Sequence, residues 1–183
     1  PQPQASFVIM DQYTGEEKAI VGGRGEKTES LSLNRATESA RQPGSCFKIV
    51  STYAPALDIG AMGLHTSIKD EPYRYKNGKE VNNWIFYKGW VTVRKAIEQS
   101  MNVVAVKALT EIGEQMDLIP EELWIPTVVD QEVINGQTFS DIQQATALGG
   151  ITHGVYNLEM TAAYASLANN GTYTKPKFYT KIL

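Results

Sequence analysis

The strongest constraint in this sequence is a chain break with a helix former directly behind it. Pro43-Gly44 interrupts the chain, and the apolar run Phe47-Lys48-Ile49-Val50-Ser51-Thr52-Tyr53-Ala54 follows at once. A helix has to start between them. Ser45 is then its first residue or N-cap, and Lys48 lies one turn on, on the same face. A serine hydroxyl is a weak nucleophile until something takes its proton. An amine held beside it in a partly desolvated pocket can do so near neutral pH, because burial disfavours the ammonium form. The N–H groups of a helix start also favour developing negative charge. The turn thus carries the parts of a Ser-x-x-Lys acyl-transfer centre. The pattern is short enough to arise by chance and occurs once here, so its weight depends on what accompanies it.

Around this turn the chain alternates short strands and helices. Residues 6–11 and 18–23 read as the strands of a β-hairpin, with Gly15 supplying positive φ in the turn. Residues 24–32 are polar and read as an exposed loop. The helix that begins at Ser45 contains Pro55, which predicts a kink or a second short helix. Residues 60–83 read as irregular, with a strong turn at Pro72-Tyr73-Arg74-Tyr75-Lys76-Asn77-Gly78. Thr92 is a good N-cap for a helix carrying Val93, Ala96, Ile97 and Met101, and a second helix runs through 103–109. Residues 111–143 are mixed, with Pro120, Pro126 and Gly136 interrupting short apolar runs. A strong helix spans 157–168 with Asn157 as N-cap and Asn169-Asn170-Gly171 as its stop, and residues 172–183 read as extended, with Pro176 at an edge.

Composition removes several function classes. The 183 residues carry a formal net charge of −3, which gives no basic surface for nucleic acid. The single cysteine excludes an intrachain disulfide and a cysteine-cluster metal site, and Cys46 reads as a packing residue. His65 and His153 form no zinc-binding spacing, so neither a metal nor a cofactor is expected. No apolar stretch approaches the roughly 18–20 residues of a membrane span.

A second short motif, Ser100-Met101-Asn102, lies at a helix junction downstream of Ser45. A hydroxyl there can pass a proton to a leaving group, and the amide can bond both Lys48 and a substrate carbonyl. Ser32-Leu33-Asn34 repeats the pattern upstream of the nucleophile and acts as an internal control.

These segments together resemble one family. Arg41-Gln42-Pro43-Gly44-Ser45 with Phe47-Lys48 is similar to the nucleophile motif of class A penicillin-binding proteins. Asn34-Arg35-Ala36-Thr37 fits ahead of it, and Tyr87-Lys88-Gly89-Trp90-Val91-Thr92-Val93-Arg94-Lys95-Ala96 fits ahead of Ser100-Met101-Asn102. Leu148-Gly149-Gly150, Gly154-Val155, the run 159–165 and the segment 168–176 continue the resemblance in order. It implies an α+β transpeptidase fold of the penicillin-binding-protein and β-lactamase kind, an antiparallel sheet flanked by helices. Residues 1–183 would be the N-terminal and central part of one such domain.

The resemblance further implies a D,D-transpeptidase that cross-links peptidoglycan stem peptides and is acylated by β-lactam antibiotics. Ser45 would form the acyl-enzyme and its N–H would supply half of an oxyanion hole. Lys48 would act as base, Ser100 as proton relay, and Asn102 would orient Lys48 and the peptide. Gly44, beside the nucleophile, and Trp90 are the candidate substrate-contacting positions, with core or loop packing as the equal alternative for Trp90. The substrate implies a location on the outer face of the cytoplasmic membrane.

The family's Lys-Thr-Gly or Lys-Ser-Gly motif does not occur in these 183 residues. The expectation is therefore that the C-terminal strands are missing from this chain and that a second chain or fragment carries them beside the N-terminal hairpin, a ribbon that is marginal alone. Residues 116–136 show no clear match to the family. A serine β-lactamase shares the two motifs but needs a water-activating carboxylate, and no Glu-x-x-Leu-Asn follows Ser100. A penicillin-sensing or non-catalytic penicillin-binding module is the remaining alternative.

Overall fold

The computed structural model describes residues 2–113 and 125–181. The chain divides into two compact units, one from residues 1–41, 124–128 and 153–183, the other from 42–123 and 129–152.

In the first unit, strands β1 (Phe7–Met10) and β2 (Glu17–Val21) pair antiparallel, from Phe7 opposite Val21 to Met10 opposite Glu17. A bulge between Ile9 and Met10 absorbs the odd residue. Asp11 Oδ1 accepts from the N–H groups of Tyr13 (3.0 Å) and Thr14 (2.8 Å), and Gly15 closes the turn at φ 76°. The expected hairpin is thus present, with the second strand starting one residue early. Helix α1 (Arg35–Glu38) is capped by Asn34, whose side chain accepts from Ala36 N–H at 3.1 Å. The upstream Ser-x-Asn copy is therefore a helix cap.

The helix of residues 157–168 also belongs to this unit and packs on β1 and α1. Its N-cap is Tyr156, not Asn157, which is the first helical residue. Glu159 reaches back to accept from Tyr156 N–H at 3.0 Å and holds the start. Beyond it the chain makes a single parallel bridge between Lys177 and Glu16 and no strand among the described residues, so the extended reading of 172–183 reduces to that bridge.

The second unit is built around a buried helix. After a 3-10 turn at Gly44–Cys46, a π-helical stretch Ile49–Tyr53 leads into α2 (Ala54–Asp58). Pro55 accounts for the widening: it has no N–H, and its ring collides with the preceding turn of a regular helix. Ala54 N–H instead reaches Ile49 O, five residues back. The expected interruption at Pro55 takes this form. The helix starts earlier than expected, with Pro43 at the N-cap position and Ser45 second in the 3-10 turn. Cys46 is exposed, so it does not pack as its small apolar side chain suggested.

Strands β3 (Ser67–Asp70) and β6 (Gly89–Thr92) pair antiparallel, as do β4 (Tyr73–Arg74) with β5 (Glu80–Val81) and β7 (Glu132–Ile134) with β8 (Gln137–Phe139). The irregular reading of 60–83 is corrected by the first two of these pairs. Helix α3 (Val93–Glu98) begins at Thr92, whose hydroxyl accepts from Lys95 N–H at 3.2 Å. Helix α4 (Asn102–Glu111) follows. Val103, Val104, Ala105, Val106, Ala108 and Leu109 are all fully buried, so α4 is a core helix covered on most of its circumference. Around it pack the π-helical stretch, β3 and a 3-10 turn at Gln144–Leu148. In chain order the helix Asn157–Ala168 of the first unit is α5.

The architecture is α+β, with four antiparallel strand pairs and five α-helices among the described residues. Residues 114–124, part of the mixed segment expected from the sequence, lie outside the described residues. Among the described residues no helix is long and apolar enough to cross a membrane.

Candidate active site

Two turns of the second unit meet at Lys48. The first is the 3-10 turn that carries Ser45, whose side chain is exposed at the start of its helix. Gly44 has φ 57°, a left-handed conformation that suits glycine. Gln42 holds the approach: its Nε2 donates to Ile151 O at 2.6 Å, and its Oε1 accepts from Ile151 N–H at 3.0 Å. The carboxamide thereby pairs with a backbone segment as another strand would.

The second turn joins α3 to α4. Ser100 N–H bonds Ile97 O (3.1 Å) and Met101 N–H bonds Ala96 O (3.0 Å), the paired bonds of a helix stop with its turning residue in left-handed conformation. That residue is Ser100, at φ 50°, where glycine is the usual occupant. Met101 and Ala96 are both buried beneath the turn. The consequence is that the carbonyl, hydroxyl and following carboxamide of Ser100-Met101-Asn102 converge on one point.

Lys48 occupies that point. Its amine donates to Ser100 O at 2.6 Å, Ser100 Oγ at 3.0 Å and Asn102 Oδ1 at 2.6 Å. The residue is 2% exposed, and burial lowers its pKa from 10.5 to about 8. No carboxylate is among its three hydrogen-bond partners to hold the proton on. An amine with pKa 8 is neutral in about a quarter of molecules at pH 7.5, against about one in a thousand for an ordinary lysine.

The three partners are not equivalent. Ser100 O is a carbonyl and only accepts. Asn102 Oδ1 is fixed as an acceptor because its Nδ2 donates to Asn82 O at 2.8 Å. The Ser100 hydroxyl alone can turn round and donate to the amine once Lys48 has lost its proton. The arrangement therefore contains one reversible proton link, Lys48 to Ser100, between two fixed ones.

The structure thus brings Lys48, Ser100 and Asn102 into direct contact, with Ser45 one turn from Lys48. Trp90 sits on β6 with its side chain 69% exposed, so it is not a core aromatic. Sequence reasoning missed Asn83. Met101, the N-cap of α4, has no polar side chain, and Asn83 Oδ1 takes its place, accepting from Asn102 N–H (2.9 Å) and Val103 N–H (3.1 Å). The signal available was the Asn82-Asn83 pair, set in a stretch that reads as irregular.

The penicillin binding protein transpeptidase domain family matches residues 5–183. Penicillin-binding protein 1A of Clostridium botulinum (strain Langeland) is 37% identical over 193 residues, covering 99% of this chain and 22% of that protein. Penicillin-binding protein 1A/1B of Bacillus subtilis is 32% identical over 184 residues, covering 98% and 19%. The chain thus spans about a fifth of the length of these curated relatives. Among solved structures, penicillin-binding protein 1A of Haemophilus influenzae superposes with TM-score 0.78 at 26% identity, over 95% of this chain and 25% of that one. PonA1 of Mycobacterium tuberculosis, in complex with penicillin V, gives 0.77 at 20% identity, over 94% and 46%, a likeness of fold. The chain belongs to the penicillin-binding protein transpeptidase family, as a transpeptidase domain of the class A kind.

Proposed function

We propose that residues 1–183 are the N-terminal and central part of one D,D-transpeptidase domain that cross-links peptidoglycan stem peptides through an acyl-enzyme on Ser45. The observation that carries this reading is the buried Lys48 amine, lowered to about 8 and tied to Ser100 and Asn102. Ser45 Oγ attacks the carbonyl carbon of the penultimate D-Ala while its proton passes to neutral Lys48. The proton then moves through the Ser100 hydroxyl to the departing D-Ala nitrogen as the peptide bond breaks. Asn102 holds the amine in place and offers its carboxamide to the peptide. The Ser45 N–H is one donor to the oxyanion, and Gly44 leaves room beside it. Trp90, exposed on β6, is a wall for the substrate. A second stem peptide's amine resolves the ester.

A β-lactam acylates the same hydroxyl, its ring amide standing where the D-Ala–D-Ala bond stands. The stem-peptide substrate places the reaction on the outer face of the cytoplasmic membrane. The test is mass spectrometry of the full chain after exposure to a penicillin. The expected result is one adduct on Ser45, lost in Ser45→Ala, slowed at least a hundredfold in Lys48→Met, and released slowly. An adduct elsewhere or none at all overturns the reading. Fast turnover points to a β-lactamase. Labelling without cross-linking of stem peptides points to a penicillin sensor.

A further inference from the structure

The three side-chain and backbone bonds of Lys48 all end on the Ser100–Asn102 turn, so whatever fixes that turn fixes the amine. Asn83 does so from outside the turn, through its carbonyl oxygen on the first two N–H groups of α4. A carboxamide has two nearly isosteric ends, and only the oxygen can serve there; rotated by half a turn, Asn83 would face two N–H donors with a third.

Asp70 removes that freedom. Its carboxylate is 1% exposed at the end of β3; Oδ1 accepts from Asn83 Nδ2 at 2.7 Å and Oδ2 from Lys88 N–H at 2.9 Å. A carboxylate accepts only, so the NH2 end of Asn83 has to point at Asp70 and the oxygen at α4. A buried carboxylate is expensive to keep, and neither of its partners carries a formal charge. Two acceptor oxygens are needed here, one for Asn83 Nδ2 and one for Lys88 N–H, and a carboxamide offers only one. A neutral side chain at this place does not set the direction of the Asn83 carboxamide.

We propose that Asp70 and Asn83 are positioning residues for the acyl-transfer centre: the Asp70 carboxylate orients the Asn83 carboxamide, which holds the start of α4 and with it Asn102 against Lys48. The chain of contacts runs Asp70, Asn83, Asn102, Lys48, and each link has one workable donor–acceptor sense. The inference rests on the acyl-transfer reading of Ser45 for its effect on rate, but its structural half stands apart from it.

The reciprocal exchange tests it in the full chain. Asp70→Asn faces two donors with a group that has one acceptor, so one bond is lost. Asn83→Asp sets two carboxylates against each other. In the double variant D70N/N83D every donor again meets an acceptor: the new carboxamide takes Lys88 N–H on its oxygen and donates to the new carboxylate, which keeps both α4 N–H groups. Two readouts are followed, the saturating rate and half-saturating concentration of acylation by a fluorescent penicillin, and hydrogen exchange at the Asn102 and Val103 amides.

Each single variant is expected to lower the saturating rate tenfold or more, with the half-saturating concentration within twofold and faster exchange at both amides. The double variant is expected to restore the rate to within threefold and the slow exchange. Folded single variants that acylate within twofold of the unchanged protein overturn the proposal, as does a double variant as slow as the singles. If Asp70→Asn does not fold, N83D against D70N/N83D carries the same two outcomes. Exchange that follows the pattern in a protein that no penicillin acylates sinks the acyl-transfer reading and leaves the positioning role standing.

Discussion

Gly149 lies against Gly44 so closely that a Cβ on it would stand 2.5 Å from the Gly44 nitrogen and 2.6 Å from its oxygen. Gly149 is also at φ 73°, following the 3-10 turn that packs beside α4. Gly149→Ala therefore forces backbone apart behind the Ser45 turn. It is expected to cost at least about 2 kcal/mol of stability. The folded remainder should acylate at least tenfold more slowly, measured by thermal unfolding and by penicillin labelling of the same sample.

The buried amine sets a pH dependence. With neutral Lys48 as the base, as proposed above, acylation should rise with pH and reach half its plateau near pH 8, the value to which burial lowers the group. A rate that stays level from pH 6.5 to 9.5 would exclude Lys48 as the base. The same shift has a stability sign. Between about 8 and 10.5 the unfolded chain holds more protons than the folded one, so this group's contribution to stability rises with pH through that window. Lys48→Met should remove that rise in denaturant titrations.

Asn102→Asp adds a negative charge beside the amine and, like Asn102→Ala, gives up the Nδ2 bond to Asn82 O. An opposite charge favours the ammonium form, so the acylation profile should move to higher pH and the rate at pH 7.5 should fall. Asn102→Ala removes an acceptor without adding charge and should slow the plateau rate with no upward move of the limb. Comparing the two profiles separates charge from position.

Trp90 is exposed and opposite Lys69 in the β3–β6 pair. Trp90→Ala should leave folding stability within about 0.5 kcal/mol, as expected of a surface change. If the ring lines the cleft, the half-saturating concentration of penicillin or stem peptide should rise several-fold with the saturating rate kept. An unchanged concentration would remove Trp90 from the site.

The helices and the two motif turns were legible because local chemistry and tertiary packing agree there. Thr92 is a cap in both sequence and structure, and the buried residues of α4 are the continuous run that the sequence displays. Strand β3 was hidden by its buried acid. Its inward positions are Ile68 and Asp70, and a charged residue facing inward breaks the alternation that identifies a strand. The β7–β8 hairpin turns on Asn135-Gly136, both at positive φ, a signal that was readable and overlooked. The π-helical stretch had a cause in Pro55, but the sequence allowed a kink or a new helix equally well. Asn83 was out of reach for a different reason: it caps a helix that starts 19 residues later, and no local pattern encodes a distant cap.

The left-handed backbone at Ser100 also bears on how this protein can be engineered. Glycine holds that conformation without strain, so Ser100→Gly is expected to raise the melting temperature while deleting the hydroxyl among the three partners of Lys48. A selection for heat resistance alone should drift toward glycine at position 100, and with Ser100 as the proton relay proposed above its winners should be sturdier and slow to acylate. Breeding a tougher form of this domain therefore calls for screening labelling and thermal tolerance together from the first round.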